Sequence, residues 1–144
     1  MNTNDAHALP GTESADKETR QQVQRMWLFA PSILLRLEGL VVLTLSAIFY
    51  AVEGGNWWLY LLLFFSLDLS MLGYLAGNRI GALCYNLVHT SVLPLALLTV
   101  GLLTKHMLIV QLTLIWLSHI GFDRVLAYGL KYPTAFQDTH FNRI

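Results

Sequence analysis

IGALCYNLVHTSVLPLALLTVGLLT, residues 80–104, is a run of 25 residues without aspartate, glutamate, lysine or arginine. About 20 apolar residues in a helix cross the ~30 Å hydrocarbon core of a bilayer, so this stretch predicts a membrane-spanning helix. Pro94 lies inside it. A proline ring displaces the carbonyl four residues before it, here that of Thr90, so a kink is expected one residue after His89.

Working outward, three more apolar runs have spanning length. Ile33–Val52 precedes the tight turn Glu53-Gly-Gly-Asn56. Trp57–Ala76 opens on the interfacial pair Trp57-Trp58 and ends at the turn Gly77-Asn78-Arg79. Met107 to about Leu126 follows the turn Lys105-His106. The fold class expected is all-α, an integral membrane bundle of four transmembrane helices. Residues 1–26 are polar and mixed in charge, with too little apolar surface to offset ordering, and read as a mobile tail. Residues 27–127 form the transmembrane domain, in which Pro31-Ser32 is expected to start a new element. Residues 128–144, aromatic and polar, read as an interfacial C-terminal segment. Gly73, Gly77 and Gly81 recur every four residues and allow close backbone approach, although Gly77 reads first as a turn residue.

Composition agrees: 55% of the chain is hydrophobic and 12% charged, far from a soluble domain. Nine basic residues balance nine acidic ones, which gives no argument for nucleic acid as a partner. A single cysteine, Cys84, excludes an internal disulfide. No apolar run precedes residue 27, so a cleaved signal peptide is not expected. Four spans put both termini on one side. Lys17, Arg20, Arg25, Arg36, Arg79, Arg124, Lys131 and Arg143 fall there, and only Lys105 falls on the other. The positive-inside rule then makes both termini cytoplasmic, in a multi-pass protein of the cell membrane, the inner membrane of a bacterium.

The spans carry polar residues at one depth. Glu38, Asp68, Asn86, His89, His119 and Asp123 each lie between about four and nine residues in from a cytoplasmic helix end, roughly 6–14 Å at about 1.5 Å per residue. Asn86 and His89 are three apart, and His119 and Asp123 four apart, so each pair shares a helical face. Ionisable groups inside a bilayer are costly and persist when paired or functional. Imidazole and carboxylate on facing helices form buried metal sites, and suit zinc, manganese or iron better than a soft metal.

Several segments resemble one known family. They are Leu35-Arg-Leu-Glu-Gly39, Asp68-Leu-Ser-Met-Leu-Gly-Tyr-Leu-Ala-Gly77, Tyr85-Asn-Leu-Val-His89, Trp116-Leu-Ser-His-Ile-Gly-Phe-Asp-Arg124, Tyr128-Gly-Leu-Lys-Tyr-Pro133 and Asp138-Thr-His140. The family is one of small bacterial membrane proteins designated domain of unknown function 4260, and the resemblance covers about Leu34 to Ile144. Leu67 and Asn78 stand where its pattern has prolines, and Phe141 where it has leucine, which touches local turns and the bend before Asp68. The resemblance implies a four-helix membrane protein and no activity.

The residues themselves support several functions. The first is a divalent-metal site of hydrolase type acting at the membrane. His89, His119 and Asp123 are its ligands, and Asp68 is a further ligand or the catalytic general base. Asn86 and Glu38 would orient the imidazoles, Arg124 would hold a phosphate or carboxylate of the substrate, and Asp138 and His140 would fold back near the mouth as a cap or extra ligand. No established hydrolase motif is present, so the chain is not marked as an enzyme by sequence. The second is a small carrier or a proton or cation relay through Asp68, His89 and His119, which with four spans would require a homo-oligomer. The third is haem between His89 and His119, which the nearby carboxylates disfavour. The fourth is a structural polar network in an assembly protein, without chemistry. Membrane lipid is the expected partner in each.

Overall fold

Three helices end in the same hydrogen-bonded turn, and those ends reverse the chain. In each, the residue after the helix end takes positive φ and its N–H, with that of the next residue, closes back on the last turn. At Gly54 (φ 69°) the bonds are Gly54 N to Ala51 O and Gly55 N to Tyr50 O, both 3.0 Å. At Lys105 (φ 55°) they run to Leu102 and Gly101, and at Ala127 (φ 63°) to Arg124 and Asp123. These are Schellman caps, which satisfy carbonyls the helix end leaves free.

The structure is a computed structural model and describes residues 10–142; residues 1–9 and 143–144, and with them the start of the expected N-terminal tail, lie outside the described residues. The order is α1 (Pro10–Val52), α2 (Trp57–Ser66), a 3-10 helix (Leu67–Ala76), α3 (Asn78–His89), α4 (Val92–Leu103), α5 (Met107–Val125) and a short 3-10 turn (His140–Asn142). The fold is all-α, and four stretches are long and apolar enough to cross a membrane: Pro31–Val52, Trp57–Ala76, Asn78–Leu103 and Met107–Val125. The apolar side chains of the first three point largely outward, among them Leu34, Val41, Ile48, Trp58, Leu62, Leu83 and Leu102.

Two elements differ from the sequence expectation. No new element starts at Pro31, because α1 runs through it. Proline removes one intrahelical bond, which does not end a helix that propagates on both sides. Ahead of it the chain is helical from Pro10, with Asp16 to Gln21 exposed and Arg20 Nε donating to Asp16 at 3.0 Å. The third span is broken, not merely kinked, and the break falls at Thr90, which is extended (φ −83°, ψ 138°). Pro94 becomes the third residue of α4, where its missing N–H would have no helical acceptor anyway. The Trp116 indole N–H donates to the Val88 carbonyl at 2.6 Å, tying the end of α3 to α5.

α5 is the axis of the bundle: 56% of its apolar stretch is buried, against 11% to 17% for the other three. It lies antiparallel to α1, in contact with it near backbone distance. A Cβ on Gly121 would meet Leu43 N at 2.6 Å and Gly39 O at 2.7 Å, and one on Gly39 would meet Arg124 Cβ at 2.4 Å. The expected close approach among the spaced glycines occurs at Gly73 and Gly81, while Gly77 (φ 111°) is a turn. Asn56 caps α2 by accepting from Trp58 N and Leu59 N. Near this end an apolar cluster of Tyr50, Tyr60, Phe64, Val110, Leu114 and Ile115 fills the interior. The polar residues gather at the other end.

There the cap at Ala127 turns the chain back across the ends of α3 and the 3-10 helix. The returning segment is held by a reciprocal pair: Lys131 N donates to Asn86 Oδ1 at 2.7 Å, and Asn86 Nδ2 to Lys131 O at 2.8 Å. A bridge between Lys131 and Thr139 and the bond from His140 N to Leu130 O close it into a loop.

Candidate metal centre

The 3-10 winding from Leu67 places Asp68. With three residues per turn, side chains at i and i+3 eclipse, so Asp68, Met71 and Tyr74 form one row. Asp68 therefore faces the same interior as His89, at the end of α3, and His119 and Asp123, one turn apart on α5. His89 and His119 are almost fully buried, Asp123 is buried, and Asp68 is half-buried.

The four side chains converge. His89 Nε2 is 3.0 Å from His119 Nε2, 3.4 Å from Asp123 Oδ2 and 3.9 Å from Asp68 Oδ1. His119 Nε2 is 3.6 Å from Asp68 Oδ1 and 4.0 Å from Asp123 Oδ2. Ligand atoms of Asp68, His89 and His119 all fall within 4.8 Å of one another, the one such group among the described residues. Two donors bound to one tetrahedral ion at 2.0–2.2 Å stand about 3.3–3.6 Å apart, close to these separations.

Hydrogen bonding fixes the state of His89. Its Nδ1 is 2.9 Å from the Tyr85 carbonyl, which only accepts, so Nδ1 carries a proton, and in the neutral ring the lone pair is then at Nε2. That lone pair faces two carboxylates. Asp123 Oδ2 in turn accepts from the Tyr85 hydroxyl at 2.9 Å, while the Tyr85 ring stacks on His89 with centroids 3.8 Å apart. The lone pair can accept the Nε2–H of His119, 3.0 Å away, or bind a cation between the imidazoles and the carboxylates. His119 is held by packing: Phe64 stands edge-to-face at 5.1 Å, and its Nδ1 makes no hydrogen bond among the described residues.

Beside the cluster is a cavity of about 420 Å³, lined by Asp68, His119 and Asp123 of the cluster and by the apolar Phe64, Phe65, Met71, Phe122 and Leu126. The returning segment adds Tyr128, Lys131 and Phe136. Lys131 is buried, and its amine stands over Phe136 at 3.4 Å, Tyr85 at 4.6 Å and Tyr74 at 5.3 Å from the ring centres. Burial pushes the Lys131 amine down from its ordinary range, and the Asp123 and Asp68 charges pull it partly back.

The other residues expected at the site lie elsewhere. Glu38 is exposed on α1 and is not among the residues that converge with the imidazoles, while its neighbour Gly39 is buried against α5. Asn86 points away from His89 to the Lys131 backbone. Arg124 does not line the cavity, since its guanidinium donates to the Tyr128 carbonyl at 3.1 Å and braces the end of α5. Asp138 accepts from the Thr134 hydroxyl and, through its carbonyl, from Tyr132 N, so it shapes the loop. His140 packs against Gly129 and Phe141 and is not in the cluster. Burial and the Arg124 charge push its imidazole down. Two residues were missed. Tyr85 was legible, being four before His89 on one helical face. Lys131 was not, because only its pairing with a residue 45 positions away brings it in.

The family model described as Domain of unknown function (DUF4260) matches residues 32–144. The chain belongs to this family. The DUF4260 region thus takes in α1 from Ser32, the whole cluster and the returning segment. No curated protein and no solved structure matches the chain.

Proposed function

We propose that this DUF4260 protein is a multi-pass membrane protein that holds one divalent cation between Asp68, His89 and His119, for hydrolase-type chemistry at the membrane. The observation that carries the reading is His89 Nε2 on α3, with Nδ1 held by the Tyr85 carbonyl, meeting His119 and Asp123 of α5 and Asp68 of the 3-10 helix within 3.0–3.9 Å. Backbone carbonyls commonly set metal-binding histidines in this way. Asp123, held by the Tyr85 hydroxyl, stands beside these three ligands, which leave one position of a four-coordinate ion open to water. Two nitrogens and one or two carboxylate oxygens suit zinc, manganese or iron. A cation there would activate water and polarise an ester oxygen; Asp68, the least buried of the four and open to the cavity, is placed to take a proton from that water. Eight of nine lysines and arginines support cytoplasmic termini, with the site in the cytoplasmic half.

The rival readings fit less well. Bis-histidine haem sets its two nitrogens on opposite sides of the iron, about 4 Å apart with the macrocycle between, whereas these stand at 3.0 Å with carboxylates beside them. A relay needs a polar route across, but the chain Tyr85–Asp123–His89–His119–Asp68 stops at the apolar cluster around Phe64 and Tyr60. The test is hydrolysis of p-nitrophenyl butyrate and bis-p-nitrophenyl phosphate by the full chain in detergent. Chelation should abolish turnover and zinc or manganese restore it. No turnover of either by folded, metal-loaded protein would contradict the hydrolase reading.

A further inference from the structure

The cluster accounts for Asp68, His89, His119 and Asp123, but leaves Lys131 unexplained. It is the one cation among the cavity-lining residues, it is 8% exposed, and no carboxylate lies within 4.0 Å of it among the described residues. Three aromatic faces hold the ammonium, which stabilises a cation without neutralising it. A buried ammonium lacking an anion is expensive unless something completes it. Its backbone is clamped on both sides by Asn86, so the amine is held at the cavity by the fold.

The walls say what else an occupant carries. Of the residues that line the cavity, Phe64, Phe65, Met71, Phe122, Leu126 and Phe136 are apolar. Phe65 of α2, Phe122 of α5 and Leu126 at the C-terminal cap of α5 are exposed as well as lining the cavity. Phe122 and Leu126 are four apart, on one face of α5. These side chains stand at the outer surface of stretches that have spanning length, so the apolar wall of the cavity continues to the face where hydrocarbon would lie. At about 420 Å³ it is near the small end of ligand pockets, enough for a headgroup and the start of a chain.

We propose that the cavity binds an anionic amphiphile from the membrane, its phosphate or carboxylate held between Lys131 and the cation site and its hydrocarbon leaving past Phe65, Phe122 and Leu126. The inference rests on the metal reading, because Asp68 and Asp123 without a cation would repel that headgroup. The anion-binding role expected of Arg124 passes to Lys131, since Arg124 is engaged with Tyr128.

The test is retention of dodecyl phosphate by the zinc-loaded full chain in a nonionic detergent, read by native mass spectrometry, with zinc content measured on each sample. Dodecyl phosphate should be retained, dodecanol and dodecyltrimethylammonium should not, and inorganic phosphate should fail to displace it. Lys131→Met should weaken retention by about tenfold or more, the scale of one lost charged hydrogen bond, with zinc unchanged; Lys131→Arg should restore it. Equal retention of dodecanol and dodecyl phosphate by the wild-type protein overturns the proposal without any variant. Displacement by inorganic phosphate overturns the membrane source. Zinc bound without dodecyl phosphate overturns this inference alone, and absence of both overturns it together with the metal reading.

Discussion

Asn86 commits both ends of its amide to the backbone of Lys131, and that one side chain decides whether the cavity has a wall. Asn86→Ala removes two hydrogen bonds from a partly buried site, a cost of about 1–3 kcal/mol. It should leave the bundle folded while tryptic cleavage after Lys131 speeds up by about tenfold or more; cleavage at the wild-type rate would show that the clasp is dispensable. The same segment carries a titration. Burial and Arg124 lower the His140 pKa below its ordinary 6.5, so the docked segment binds that proton less readily than the released one. Docking is therefore unpenalised above 6.5 and loses stability as pH falls below it toward the lowered value. Hydrogen exchange at Gly129 to Lys131, corrected for intrinsic rate, should increase between roughly pH 7.5 and 5.5. His140→Gln should flatten the change. At this scale the sequence was half legible: the three-residue spacing of Asn86 and His89 put them on one face of α3, but the direction of Asn86 depends on a strand of chain 45 residues away.

Helix ends and helix crossings carry the next level. Ala127 is a non-glycine residue at positive φ in the cap that returns the chain to α3. Ala127→Gly should relieve that strain and raise stability by about 0.5–1 kcal/mol, seen as a higher midpoint of thermal unfolding in detergent. Gly121→Ala should do the opposite. Its Cβ would fall 2.6 Å from Leu43 N and 2.7 Å from Gly39 O, atoms of backbone that do not yield, so a loss of about 1–3 kcal/mol or more is expected and an unchanged midpoint would contradict the α1–α5 contact. Spans and turns were readable because a bilayer demands length and apolarity, which are local properties. The 3-10 winding of Leu67–Ala76 was not, since an almost wholly apolar run shows no period that separates 3.0 from 3.6 residues per turn. Nor was the break at Thr90 foreseen as a break: Pro94 marked the place, but whether a helix bends or restarts depends on whether its freed carbonyls find partners, and the indole of Trp116 supplies one.

Across the whole molecule the two ends differ in kind. Tyr50, Tyr60 and Phe64 with their neighbours close one end with apolar packing, and Asp68, His89, His119 and Asp123 occupy the other beside the cavity. The shared depth of these polar residues was legible once the spans were laid side by side, though Glu38 obeyed the depth rule and still faces outward, because depth says nothing about azimuth. The basic residues predict an orientation: reporters at Gly55, Asn78, Lys105 and the C-terminus should alternate out, in, out, in, and an outward C-terminus would reverse the proposed placement of the site. The central claim is that the converged imidazoles and carboxylates hold a cation. It is tested most directly by elemental analysis of the full chain, purified in detergent without chelator and loaded in turn with zinc, manganese and iron(II). About one equivalent of one of these metals is predicted for wild type and for Glu38→Gln, and none for His89→Ala or His119→Ala in folded protein; folded wild-type protein that takes up no stoichiometric metal under any loading would contradict the account.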